Sequence, residues 1–269
     1  MKALFCAFVL AIAVPSHGLA QSLRVASTTS VQDSGLFAFL LPKFESRFGI
    51  KVEVVSRPSA AAIAVAERGS ADVIIVNDSK ALDRFVGSGN ATRRHPLMHN
   101  DFVIVGPVSD PAGVAGMNDA PAALRAIAKK RVRFVSRGDE SGTHAAERRL
   151  WQMAEVDPKS RAGQWYVEAG MGMGATVEMA TQVGGYILTD RASWLAHGAA
   201  SHRVLVEGDP RLFDQYEVAV VSAAKHPTVN AAAAASLVDW LISAEAQQAI
   251  TAFRIGGQQA FFPGAQVQN

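Results

Sequence analysis

A chain of 269 residues carrying 26 basic and 24 acidic side chains is close to neutral, which argues against nucleic-acid binding, because that function needs a concentrated basic face. Its one cysteine is Cys6, so everything after the first turn of sequence lacks disulfides, thiol nucleophiles and thiolate metal sites. An apolar content of 49% is ample for a core, and the length suits two lobes or one large α/β domain.

The first twenty residues read as an export signal. Lys2 supplies the charged start, Ala3 to Val14 is an apolar run too short to span a bilayer, and Gly18-Leu19-Ala20 fits a small-x-small cleavage site. Cys6 follows Leu4-Phe5 rather than the small residues of a lipobox. The mature chain then begins at Gln21 with 25 basic against 24 acidic residues. An exported, disulfide-free protein of this kind points to the periplasm of a Gram-negative bacterium.

From there strand-like runs alternate with helical periodicity, the pattern of an α/β fold. Strands are predicted over 23–26, 51–55 and 71–76, with helices over 35–47, 60–68 and 80–86 between and after them. A long strand over 101–105 ends at Gly106-Pro107, a helix covers 120–130, and a short strand covers 133–135. A helix over 144–154 follows, then the glycine-rich turn 170–176 leading into a helix over 177–183. Strands at 185–190, 204–207 and 216–221, a helix over 191–196, and a helix pair within 229–253 complete the chain.

Two strand-to-helix turns carry the chemistry. Ser136-Arg137-Gly138-Asp139-Glu140-Ser141-Gly142-Thr143-His144 combines a guanidinium, two hydroxyls, glycines and a helix N-terminus. Unpaired backbone N–H groups and the positive end of the macrodipole favour an anion at such a place, and arginine adds a fixed charge with a planar donor fork. Ser27-Thr28-Thr29-Ser30 repeats the hydroxyl-rich character at another strand end. The plain alternative is that Ser141 or Thr143 only caps a helix. If the strands at 101–105 and 216–221 cross between lobes, the two turns face each other across a hinged cleft.

In order along the chain, several segments resemble the tungstate-binding proteins of ABC uptake systems. They are 27–35, 100–107, 136–144, Gly172-Met173-Gly174-Ala175-Thr176, Leu188-Thr189-Asp190-Arg191 and Val206-Glu207-Gly208-Asp209-Pro210. The resemblance implies a type II periplasmic solute-binding fold with lobe I formed by 21–102 and 219–269, lobe II by 103–218, and an oxyanion in the cleft. It implies tungstate or molybdate as ligand, a membrane permease as partner, a monomer, no cofactor, and no metal other than the one inside the oxyanion. Carried to matching positions, Thr28, Thr29 and Ser30 supply donors from one lobe, and Arg137, Ser141, Gly142 and Thr143 from the other. The family's further loop, commonly Gly-Thr-Gly-Gln, is Arg57-Pro58-Ser59-Ala60-Ala61 here. Ser59 can replace the threonine hydroxyl, Pro58 brings no N–H, and Arg57 either adds charge or is solvated.

The Arg137-x-Asp139-x-Ser141-Gly142-Thr143 spacing also resembles phosphate-binding proteins. Hydrogen phosphate benefits from an acceptor carboxylate, whereas fully deprotonated tungstate and molybdate are repelled by one, so the placement of Asp139 discriminates. A secreted hydrolase or sensor domain is the other class. Ser141 or Ser30 with His144 and Asp139 is its candidate set, yet Gly-x-Ser-x-Gly is absent and His144 sits three residues from Ser141, a poor triad. His95 and His99 have metal-like spacing with Pro96 between them and no third ligand. Arg93-Arg94 reads as a solvated loop, Met171 and Met173 as packing residues, and Arg137-Gly138-Asp139 as a chance tripeptide.

Overall fold

The computed structural model describes residues 22–161 and 165–264; the export signal expected over 1–20 lies outside them. The chain opens with β1 (Ser22–Ser27), α1 (Thr29–Asp33), α2 (Leu36–Phe48), β2 (Lys51–Ser56), α3 (Ser59–Glu67), β3 (Val73–Val76) and α4 (Ser79–Gly87). The middle runs through β4 (Ala91–Pro107), α5 (Ala120–Lys130), β5 (Phe134–Ser136), α6 (Gly142–Met153), β6 (Tyr166–Glu168), α7 (Met173–Val183), β7 (Ile187–Asp190), α8 (Arg191–His197) and β8 (His202–Val206). It closes with β9 (Phe213–Val221), α9 (Ala231–Leu241), α10 (Ala244–Ala252) and the short strands β10 (Arg254–Ile255), β11 (Gln258–Gln259) and β12 (Phe262–Pro263).

The main sheet runs β12-β4-β9-β3-β1-β2. β1 is parallel to both β2 and β3, so these three strands end on one edge. β3 is buried at all four positions, as a strand covered on both faces must be. Its side chains alternate with period two: Val73 and Ile75 join a core with α2, α9 and α10, while Ile74 and Val76 join a smaller core under α3 and α4. Each such fully buried Val or Ile contributes on the order of 1.5–3 kcal/mol.

β4 is the element that organises the molecule. From Ala91 to Asp101 it pairs with β9, and from Phe102 onward its partners are β7 and β8. The core changes with the partner. Leu97 and Met98 pack with the first group, whereas Phe102 and Ile104 join the aromatic cluster of Phe134, Trp151, Trp165 and Tyr166, and Val103 and Val105 pack under α7. The chain returns between Leu212, in the second group of cores, and Tyr216, in the first.

Residues 213–218 of β9 pair along the first half of β4, and Tyr216 and Val218 pack with the first group. The 101–105 strand begins ten residues earlier, so Arg93-Arg94 is not a solvated loop. Arg93 pairs with Asp239, and Arg94 reaches both Asp83 and Glu217. Pro96 is tolerated because the register shifts between Pro96 and Met98, a bulge at which no ladder N–H is required.

Candidate functional site

The parallel strands deliver the hydroxyl-rich segments to one place. β1 ends at Ser27 and is followed by Thr28, Thr29 and Ser30; β2 ends at Ser56 and leads to Ser59; β3 ends at Val76 and leads to Asn77. On the other side β5 and β6 are parallel and end at Ser136 and Glu168. The turns after them are stitched together, since Ala169 N–H donates to Ser136 O and Gly170 N–H to Arg137 O, both at 2.9 Å. The site thus lies beyond the carboxyl ends of five strands, where open α/β sheets place their ligands. Gly138 makes the stitch possible: its φ is +65°, and a Cβ there would stand 2.8 Å from Glu168 Cβ.

Arg137 is the centre. Its side chain is 1% exposed, and its guanidinium spans both halves of the molecule. Nη2 donates to Thr29 Oγ1 at 2.8 Å, and Nη1 donates to Ser30 Oγ at 3.3 Å and Thr143 Oγ1 at 3.5 Å. Nε donates to Asp139 Oδ2 at 2.8 Å. The other Asp139 oxygen accepts from Ser141 N–H at 3.1 Å. Both oxygens of that carboxylate are therefore engaged within its own turn, and its charge holds the guanidinium in place.

The remaining expected residues divide by role. Ser141 and Thr28 are caps: Ser141 Oγ accepts from His144 N–H at 3.2 Å at the start of α6, and Thr28 Oγ1 accepts from Val31 N–H at 3.4 Å at the start of α1. Gly142, the first residue of α6, donates its N–H to Ser59 Oγ at 3.2 Å, so the start of α6 meets the start of α3 across the cleft. Arg57 is exposed and donates to Ser56 O at 2.8 Å, so it adds no charge beside Arg137. Met173 is buried as expected of a packing residue, while Met171 is 39% exposed.

The hydrolase set does not assemble. His144 Nδ1 accepts the Glu140 N–H at 3.1 Å, and Ser141 Oγ is committed to capping, so the imidazole makes no bond to a serine hydroxyl. His99 stacks on Phe262 at a ring distance of 5.3 Å and meets a tilted Phe213 at 5.0 Å, and no group of three or more metal-binding side chains occurs among the described residues.

Three further residues belong to the surroundings and carry no motif in the sequence. Asn77 Oδ1 accepts from Ser59 Oγ at 3.2 Å, and Asn77 Nδ2 donates to Asp214 Oδ1 at 3.0 Å. Asp214 is buried, and burial, reinforced by the charge of Asp190, pushes its carboxyl well above the ordinary range. Glu147 lies on α6 behind the arginine turn, where its Oε1 accepts from Tyr166 Oη at 2.9 Å and Trp151 Nε1 at 3.2 Å. Complete burial raises its carboxyl to about 7. A cavity of about 630 Å³ opens beside Gly142, with Lys80, Arg148 and Arg149 among its walls.

Known proteins resemble this chain over most of its length. Residues 14–245 match the model of the PBP superfamily domain. The tungstate-binding protein TupA of Peptoclostridium acidaminophilum is 38% identical over 232 residues, 85% of this chain and 80% of that protein. Among solved structures, the tungstate-binding protein TupA of Desulfovibrio alaskensis G20 superposes with a TM-score of 0.80 at 39% identity, covering 92% of this chain and all of that one. The tungstate ABC transporter protein of Geobacter sulfurreducens superposes with a TM-score of 0.79 at 42% identity, over 86% of this chain and 98% of its own.

Proposed function

The chain belongs to the PBP superfamily and, within it, to the family of the TupA tungstate-binding proteins, and from that membership we propose that it is a periplasmic solute-binding protein. It captures tungstate, with molybdate as the near-equivalent ligand, and delivers the anion to the membrane permease of an ABC transporter. It acts as a monomer, and it binds and releases its ligand without turning it over. Binding draws together two lobes, 22–101 with 213–264 and 102–212, about the two crossings near Asp101/Phe102 and Leu212/Phe213.

The observation that carries this reading is the state of Arg137 and Asp139. A buried guanidinium with hydroxyls from both sides on its Nη atoms is a preformed counter-charge for a small anion. The carboxylate beside it has each oxygen accepting a bond from its own turn, which leaves it fewer lone pairs for a protonated anion. That favours a fully deprotonated dianion over hydrogen phosphate. Ser30, Thr29, Thr143 and the N–H groups at the starts of α3 and α7 surround the ligand; neither helix has a side-chain cap of its own.

Thermal unfolding in the presence of each anion tests the reading. A ligand at a hundred times its Kd stabilises the folded state by about 2.7 kcal/mol. Millimolar tungstate and molybdate raise the midpoint by several degrees, and phosphate leaves it unchanged. A shift with phosphate and none with tungstate overturns the assignment.

A further inference from the structure

We propose that Asn77, held in place by Asp214, is the latch that seats the two halves of the cleft against each other, and that position 142 is glycine to receive it. This rests on the proposed closure around an oxyanion. The chain of bonds runs from Asp214 at the start of β9 to Asn77 Nδ2 (3.0 Å), from Asn77 Oδ1 to Ser59 Oγ (3.2 Å), and from Ser59 Oγ to the Gly142 N–H (3.2 Å). It begins beside the crossing between the lobes and ends on the first residue of α6, in the opposite lobe.

Each link fixes the next. Asn77 turns its NH₂ toward both oxygens of Asp214, at 3.0 and 3.3 Å, and its oxygen toward Ser59. That oxygen takes the proton of Ser59, which leaves the Ser59 lone pairs facing the Gly142 N–H. The direction of the Ser59 hydroxyl is therefore set by Asn77, and its oxygen is left to hold the first N–H of α6 in the opposite lobe.

Shape makes the same point independently. A Cβ on Gly142 would lie 2.2 Å from Asn77 Oδ1, 2.7 Å from Cγ and 3.0 Å from Nδ2. All three atoms belong to the one carboxamide. The φ of Gly142 is not in the left-handed region, so the backbone of α6 accepts alanine there, and alanine is the better helix former. The three atoms nearest to a side chain at 142 thus all come from the opposite lobe. An alanine there suits the separate lobe and obstructs the closed pair.

The test uses three variants titrated with sodium tungstate by calorimetry: Asn77→Ala, Gly142→Ala and the double variant. Asn77→Ala weakens binding three- to tenfold through loss of the latch bonds. Gly142→Ala weakens it at least a hundredfold, because the lobes cannot seat. The double variant returns to within threefold of Asn77→Ala, since the three obstructing atoms are gone. A double variant as weak as the product of the two singles overturns the latch. A second readout separates this from the choice of ligand: spin labels at Ser46→Cys and Lys129→Cys, both exposed positions, in a Cys6→Ser background. If the wild type binds no tungstate, the ligand assignment fails on its own. The latch then still requires that Gly142→Ala lengthen the distance between labels and that adding Asn77→Ala restore it; an unchanged distance in Gly142→Ala overturns it.

Discussion

Replacing Arg137 by alanine removes one side chain that serves four oxygens: Asp139 Oδ2 and Thr29 Oγ1 at 2.8 Å, Ser30 Oγ at 3.3 Å and Thr143 Oγ1 at 3.5 Å. The guanidinium is 1% exposed, so water cannot stand in for it against a dianion. Removing one partner of a buried ion pair costs about 3–5 kcal/mol, and at about 1.4 kcal/mol per decade this corresponds to roughly two to three and a half decades in Kd for tungstate. The same change leaves the Asp139 carboxylate, 8% exposed, without its cation, so the fold loses stability as well. The two effects separate in the double variant Arg137→Ala/Asp139→Ala. It regains thermal stability relative to Arg137→Ala because no buried charge is left alone, yet it does not regain affinity because the counter-charge is still missing. Calorimetric titration with tungstate and a thermal melt of each variant read both quantities. An Arg137→Ala protein that binds within threefold of wild type refutes the reasoning.

Glu147→Gln tests the carboxyl behind the site. Burial raises it to about 7, above the ordinary glutamate value of 4.5. The buried acid therefore favours the fold fully below pH 4.5, and that contribution is lost as pH rises toward 7, by about 3 kcal/mol in all. The glutamine variant should melt higher than wild type at pH 8, be no more stable at pH 4.5, and show a flatter pH profile between them; equal melting temperatures at pH 8 would count against a charged Glu147 there. The triple variant Lys80→Gln/Arg148→Gln/Arg149→Gln removes three cations around the cavity beside Gly142. Stopped-flow association of tungstate at low salt should slow several-fold while dissociation is unchanged, and the difference should vanish at about 1 M salt; a change confined to dissociation would mean these groups touch the ligand. Small-angle scattering should report a smaller radius of gyration on saturation with tungstate, and identical profiles would contradict lobe movement.

Much of the fold was legible because its signals are local. The helix over 120–130 needs only Asp119 as cap, and Asp119 Oδ1 accepts from Ala122 N–H at 2.9 Å. The first half of β4 was hidden because its residues look like a loop. Arg93, Arg94 and Pro96 fit a strand through partners 120 and more residues away, Glu217 and Asp239, and through a bulge. β6 spans three residues, Tyr166–Glu168, too few for periodicity to register. The helix beginning at Met173 starts four residues before the expected one, since glycines at 172 and 174 read as a turn; close packing is what Gly174 provides, where a Cβ would stand 2.7 Å from His197 Nε2.

The site divides in the same way. Arg137, Thr29, Ser30 and Thr143 were visible because hydroxyls and a guanidinium crowd the ends of strands, and the turn that holds them is contiguous. Asn77 and Asp214 were not, because a lone amide and a lone acid 137 positions apart have no spacing that marks them until the sheet brings β3 and β9 together. The discriminating fact about Asp139 was likewise conformational. The sequence allowed it to face ligand, solvent or Arg137, and the positive φ of Gly138 and Glu140 curls the turn so that it faces Arg137 and Ser141.

The central claim is that Arg137 and the hydroxyls around it hold a fully deprotonated dianion. Calorimetric titration of protein stripped of bound anion by unfolding and refolding, with tungstate, molybdate, phosphate and sulfate in separate runs, tests it most directly. The account predicts tight one-to-one binding of tungstate, comparable or weaker binding of molybdate, and no heat with phosphate. Phosphate binding with tungstate silent would contradict it, and would mean that a carboxylate of this site accepts a proton from the ligand.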